Sequence, residues 1–244
     1  MMEEREFVTI IFVHWSQNEE RSQLARASLK SLQATIHIPA EIIVVDNGDN
    51  EEDSKFFLKE CQEKRIALYI RNADNVNFPT ARNQGLMNAT GNWIVITDND
   101  IIYKDHWLNL CMAAISNCPN DKRLASPINY PYVHGRDPRW RHGQLRIKGR
   151  MFNLTERAGS NCLVMNRKAF DEIGFFNLDK ASKSGSDYTD KWVNAGYLVI
   201  TPTLNWAYDC GLRKGHNFNI RLEATRTLLD GSKTQLTNQD LWKK

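Results

Sequence analysis

The stretch Asn77 to Asp100, NFPTARNQGLMNATGNWIVITDND, passes from a helical pattern through a short apolar run into an acidic turn. Pro79 to Ala89 reads as a helix opened by proline, which the first helical turn tolerates. Trp93 to Thr97 is apolar, rich in β-branched residues and without alternation, the pattern of a strand covered on both faces. The same pattern recurs upstream at Phe7 to Val13 (FVTIIFV) and Glu41 to Val45 (EIIVV). Between these runs, Ser16 and Glu19 suggest a capping box, and Leu24, Ala25, Ser28, Leu29 and Leu32 mark one face of a helix. A second helix is expected from about Glu51 to Lys64, followed by a strand from Ile66 to Ile70. Alternating strands and helices predict an α/β fold with an open, mostly parallel, doubly wound sheet that binds ligands at the carboxyl ends of its strands. Asp46 leads into the Asn47-Gly48 turn and Asp98-Asn99-Asp100 follows Thr97, so three carboxylates should converge on that edge.

With 244 residues, 41% hydrophobic and 25% charged, the chain suits one domain with an appended tail rather than two domains or a disordered polymer. A net charge of +3 gives no bulk attraction to nucleic acid, and no nucleic-acid partner is expected. Cys61, Cys111, Cys118, Cys162 and Cys210 are odd in number and contain no CxxC pair, which fits a reducing, cytoplasmic setting better than a disulfide framework. The acidic start, Met1 to Glu6, lacks a signal-type apolar run, and no stretch reaches membrane-spanning length. Peripheral membrane contact stays open. Pro127 to Phe152 reads as an irregular, basic loop holding Arg136, Arg139, Arg141, Arg146, Lys148 and Arg150, suited to a diphosphate or an anionic acceptor or simply solvated. Beyond it, Ser160 to Met165 and Leu198 to Thr201 read as strands. Arg167 to Ile173 and Asp187 to Ala195 read as helices stopped by Gly174 and Gly196. After Ile220 the chain is polar, helical to about Leu229 and frayed thereafter.

Asp98-Asn99-Asp100 is the central chemical signal. Hard divalent cations take oxygen ligands, and a nucleotide diphosphate uses such a cation to neutralise its phosphates. Taken alone, two aspartates can equally open a turn. The surrounding motifs resemble those of family 2 glycosyltransferases of the GT-A fold over roughly residues 7 to 200. Val8 to Ser16 (VTIIFVHWS) is similar to the first strand and donor loop, especially in the rhamnosyltransferase-like branch. Ile43 to Gly48 (IVVDNG) resembles the nucleobase-binding motif, and Asn77 to Asp100 the longest signature, with Ala-Arg-Asn-x-Gly, Ala-x-Gly and the terminal DxD.

This resemblance implies a single GT-A domain over residues 1–220, with a nucleotide-sugar half to about 100, an acceptor half from about 101, and a tail over 221–244. It implies a donor site of His14, Trp15, Asp46, Arg82, Asp98 and Asn99, with Asp100 holding Mn2+ or Mg2+ and His216 as a further metal ligand. Asp46 also suits capping of its turn, and Arg82 a surface ion pair. The implied partners are a nucleotide diphosphate sugar and a saccharide or glycoconjugate acceptor. Inverting transfer also needs a carboxylate to take the acceptor proton. Ser184 to Tyr197 (SGSDYTDKWVNAGY) resembles the helix that carries this base in the family, with Asp187 at the second acidic position and Asp190 as the reserve. Ser184 and Gly185 stand where the family places earlier acids, which also admits a weak or inactive nucleotide-sugar-binding module on the same fold. Phosphatases with a DxD motif place it near the amino terminus, and sugar nucleotidyltransferases carry a glycine-rich loop that residues 14–21 lack.

Overall fold

The uninterrupted apolar runs are explained by two cores, one on each face of a central sheet. In the computed structural model, which describes residues 6–16, 18–48, 50–128, 141–156, 158, 160–179 and 184–210, successive strand residues alternate between them. Val8, Ile10 and Phe12 enter one core together with Trp93 and Val95. Ile11 and Val13 enter the other with Ile94 and Ile96. Neither face of these strands meets water, so neither carries polar alternation.

The first half runs β1 (Val8–His14), α1 (Glu19–Thr35), β2 (Ala40–Asp46), α2 (Glu51–Gln62), β3 (Leu68–Arg71), α3 (Phe78–Met87) and β4 (Trp93–Asp98). The second half adds β5 (Ile101–Tyr103), α4 (Trp107–Ser116), β6 (Arg123–Ala125), β7 (Arg141–Ile147), β8 (Arg150–Thr155), β9 (Cys162–Asn166), α5 (Arg167–Ile173), α6 (Ser184–Asn194), β10 (Leu198–Pro202) and β11 (Ala207–Asp209). A nine-stranded sheet has the order β3-β2-β1-β4-β9-β6-β10-β8-β7, and β11 pairs with β5 in a small second sheet. Strands β1 to β4 are mutually parallel. Only β9 and β8 oppose the common direction of the large sheet, so it is mostly parallel. Leu29 and Leu32 of α1, Phe57 of α2 and Trp107 of α4 cover one face. Ala81 and Leu86 of α3, Phe170 and Ile173 of α5, and Tyr188 and Trp192 of α6 cover the other.

Two local expectations change. The cap of α1 is Asn18, whose Oδ1 accepts from the Arg21 backbone N–H at 3.0 Å, while Ser16 turns inward to Ser22 and Asp53. The region read as an irregular loop contains the hairpin β7–β8, with Ile147 paired to Arg150. Its turn residues Lys148 (φ 45°) and Gly149 (φ 82°) both adopt the left-handed backbone that closes a two-residue hairpin. Gly149 is therefore a hairpin turn residue. The expected boundary at residue 220 and the tail lie outside the described residues. Among the described residues, no helix is long and apolar enough to cross a membrane.

Candidate active site

The parallel register brings the predicted acids to one sheet edge. His14 is paired with Asp46 on β2, and Val13 with Asp98 on β4, so Asp46 and Asp98 flank the end of β1. Two interstrand spacings separate their backbones, about 10 Å. Asp46 is fully buried and accepts from Ser54 Oγ at 2.9 Å and Tyr69 Oη at 2.5 Å. The turn after it is knitted to the next loop. Asn47 Oδ1 accepts from Asn72 Nδ2 and from the Val76 N–H, while Asn47 Nδ2 donates to Asn75 Oδ1. Gly48 has φ 83°, and a Cβ there would lie 2.5 Å from the Asp74 backbone, so only glycine fits.

His14 is buried, and both of its ring nitrogens are engaged. Nδ1 accepts from Asn99 Nδ2 at 3.0 Å, which leaves Nε2–H to donate to Asp53 Oδ2 at 3.2 Å. Asn99 also donates to the Trp15 carbonyl at 3.1 Å, tying the loop after β1 to the DND turn. Asp53 additionally accepts from Ser22, Asn50 and Arg26, the last through Nε at 2.7 Å. Burial pushes the Asp53 carboxyl up, but hydrogen bonds from His14, Ser22 and Arg26 outweigh it and hold the group well below the usual carboxylate range. The Trp15 side chain, 37% accessible, is among the few large apolar groups facing solvent.

The Ala81-Arg82-Asn83-Gln84-Gly85 signature has a contact for each residue. Ala81 packs in the core and Arg82 is fully buried, with its guanidinium carbon 3.5 Å from the centre of the Phe78 ring. Arg82 Nη2 donates to Asp98 Oδ1 at 2.7 Å and to the Ser160 carbonyl at 2.5 Å. Asn83 exchanges two hydrogen bonds with the Phe176 backbone, and Gln84 pairs with Asn72. Gly85 lets α3 approach β1: a Cβ there would lie 2.4 Å from Ile11 Cγ2. Gly91, the glycine of Ala89-Thr90-Gly91, passes the β1 backbone so closely that a Cβ would lie 2.6 Å from Thr9 N.

The DND turn is acidic and compressed. Burial pushes the Asp98 carboxyl up and Arg82 offsets that in part, while burial followed by Asp209 and Asp98 pushes Asp100 up to about 8. Asp209 arrives on β11, which pairs with β5 immediately after the turn, and the Cys210 N–H donates to the Asp100 carbonyl at 2.8 Å. Asn161 links the group: its carbonyl accepts from the Asp98 N–H at 2.8 Å and its Nδ2 donates to Asp209 Oδ2 at 3.0 Å. Half-buried carboxylates such as Asp98 and Asp100, pushed up by burial and by the neighbouring Asp209, are the donor set a hard divalent cation relieves.

On α6, Asp187 is half-buried and Asp190 exposed. Tyr188 stacks on Phe176 at 3.8 Å, and the Phe176 ring lies 5.1 Å from the Arg82 guanidinium, so the helix is anchored beside the Arg82–Asp98 pair. His14, Arg82, Asp98, Asn99, Asp100 and α6 thus form one region, with Asp46 across β1. His216, Arg136 and Arg139 lie outside the described residues. Asp53, Asn161 and Asp209 escape sequence reading because their contacts depend on strand pairing and helix docking over long sequence separations.

An α/β nucleotide-binding half with acids at its strand ends is the architecture of GT-A glycosyltransferases. The chain belongs to glycosyl transferase family 2, whose sequence profile matches residues 16–174. Among solved structures it is similar to the mannosyltransferase PcManGT from Pyrobaculum calidifontis, in complex with GDP-Man and Mn2+ (TM-score 0.65, 19% identity, 94% of this chain and 64% of that one). It is also similar to Staphylococcus aureus TarS (TM-score 0.60, 14% identity, 90% of this chain and 38% of that one). A curated relative, the uncharacterized protein y4gI of Sinorhizobium fredii (strain NBRC 101917 / NGR234), is 26% identical over 188 residues, covering 66% of this chain and 20% of the relative. The chain therefore spans a fifth of that relative's length and less than two thirds of these solved chains.

Proposed function

We propose that this family 2 glycosyltransferase moves a sugar from a nucleotide diphosphate to an acceptor hydroxyl by single displacement with inversion, in polysaccharide or glycoconjugate synthesis. The observation that carries the reading is the acidic turn at the end of β4, where Asp98 pairs with the buried Arg82 and the Asp100 backbone is held to the β11 segment that carries Asp209. The Mn2+ and GDP-Man named for the mannosyltransferase with the same fold support a divalent cation and a nucleotide sugar here. Asp100 holds the cation, Mn2+ or Mg2+, with Asp98 and Asp209 beside it and His216 as a further candidate. When bound, the cation neutralises the diphosphate as it departs.

Asp46, fully buried against Ser54 and Tyr69, supports the nucleobase end of the site from within rather than touching the base, and Trp15 offers an indole face for stacking. Asn99 positions the donor loop through His14 and the Trp15 carbonyl. Arg82, fully buried, orients Asp98 rather than reaching the phosphates itself. Asp187 takes the proton of the acceptor hydroxyl, with Asp190 in reserve. The acceptor oxygen then bonds to the anomeric carbon while the bond from that carbon to the phosphate oxygen breaks, and the nucleoside diphosphate leaves with the electron pair.

A paired experiment tests this. Calorimetry of a nucleoside diphosphate with Mn2+ should show binding to the wild type and to Asp187→Asn, but not to Asp100→Ala. Turnover of the nucleotide sugar by Asp187→Asn should fall by about a hundredfold or more. Unchanged diphosphate affinity in Asp100→Ala would remove the cation assignment, and full turnover in Asp187→Asn would move the base elsewhere.

A further inference from the structure

A second group of metal-ligating side chains lies away from the acidic strand ends. His37 follows the end of α1 and precedes β2, whereas Asp46 closes that strand. Along β2 this is a separation of about 20 Å. His37 Nε2 is bonded to Asp105 Oδ1, and His106 Nε2 is 3.3 Å from Asp105 Oδ2. The two imidazole rings are 5.0 Å apart, centre to centre. One ligand atom from each of the three residues lies within 4.8 Å of the others, and no other group of His, Cys, Asp or Glu among the described residues comes so close. The side chains remain accessible, at 42%, 39% and 64% for His37, Asp105 and His106.

We propose that His37, Asp105 and His106 form a surface site for a divalent transition metal of the zinc type, separate from the nucleotide-sugar site. Two neutral imidazoles and one carboxylate suit borderline ions such as Zn2+ and Co2+ better than Mg2+ or Ca2+, which take oxygen. Exposure leaves a fourth position to water, so a four-coordinate ion is satisfied without a further side chain. The ligands come from two segments, the turn between α1 and β2 and the turn between β5 and α4. Ser28 Oγ of α1 donates to the Ile101 carbonyl at 2.7 Å, and Ser31 Oγ accepts from the Tyr103 N–H at 2.8 Å, so α1 is already fastened to β5. An ion shared by His37, Asp105 and His106 ties the end of α1 to the start of α4, just beyond the strand that continues from Asp100.

The test uses the full chain, stripped by chelation and dialysed against Zn2+ alone. Wild type and Asp100→Ala should each retain tightly bound Zn2+ at this site. Combining His37→Ala and His106→Ala should weaken that retention by more than the roughly tenfold to hundredfold that loss of an outer-sphere partner causes. The same double variant should keep its metal-free melting temperature and its Mn2+-dependent nucleoside diphosphate binding. Co2+ provides a second readout, through a visible absorption band of low-symmetry coordination that the double substitution abolishes. If Asp100→Ala retains no Zn2+, or the histidine substitutions leave retention unchanged, the site does not exist; neither result bears on the sugar-transfer reading, which the diphosphate titration tests separately.

Discussion

Asp53 belongs, in the sequence, to an acidic opening of α2 alongside Glu51 and Glu52, where negative charge suits a helix amino terminus. In the fold it is fully buried and joins α2 to His14, Ser22 and Arg26, and through His14 to Asn99 of the DND turn. Removing one partner of a buried ion pair strands the other, a loss of about 3–5 kcal/mol. We therefore expect Asp53→Asn to lower unfolding stability by about that amount at neutral pH, measured by denaturant titration. The sign with pH follows from the depressed carboxyl. Its stabilisation is fully present above the unfolded-state pKa of about 3.9 and is lost as pH falls toward the lower folded-state value. The wild type should thus lose stability with acid below about pH 4 more steeply than Asp53→Asn. Parallel acid curves for the two proteins would remove this role.

At the scale of elements, the contacts of α3 and β4 with β1 depend on missing side chains. A Cβ on Gly91 would meet the backbone of Thr9, Phe7 and Trp93 within 2.8 Å, and backbone in a central strand has nowhere to move. A Cβ on Gly85 would meet only Ile11 side-chain atoms, and alanine there regains about 1 kcal/mol of helix propensity. Gly91→Ala should therefore destabilise by about 3 kcal/mol and Gly85→Ala by less, both read from denaturant midpoints at constant slope. Reversal of that order would mean that the strand backbone yields more readily than the core side chain. The same glycines show what was legible. The strand runs and the Ala-Arg-Asn-x-Gly segment could be read locally because burial on both faces imposes unbroken apolar sequence. The β7–β8 hairpin could not, because Gly143 and Gly149 look like breakers until pairing of Ile147 with Arg150 makes Lys148-Gly149 its turn.

For the whole molecule, the two cores meet across one sheet, so any ligand held by the strand ends reports on global stability. At a hundred times its dissociation constant, a ligand of the folded state alone adds about 2.7 kcal/mol. In a chain of this size each kcal/mol raises the melting temperature by about 2–4 °C. A nucleoside diphosphate with Mn2+ should accordingly raise it by about 5–10 °C, and by less without the metal. An equal shift with and without Mn2+ in a thermal melt would separate diphosphate binding from the acidic turn.

From residue types and their order alone came the doubly wound half, the strand ends at Asp46 and Asp98, and the acidic DND turn, because periodicity and turn chemistry act over a few neighbouring residues. Only the folded chain decided that Arg82 lies beneath Asp98, that Asp53 holds His14, that Asp209 joins the acids through β11, and that His37 meets Asp105 and His106. Each of those contacts joins segments far apart in sequence, and it is strand register and helix packing, which no local pattern encodes, that bring them within reach.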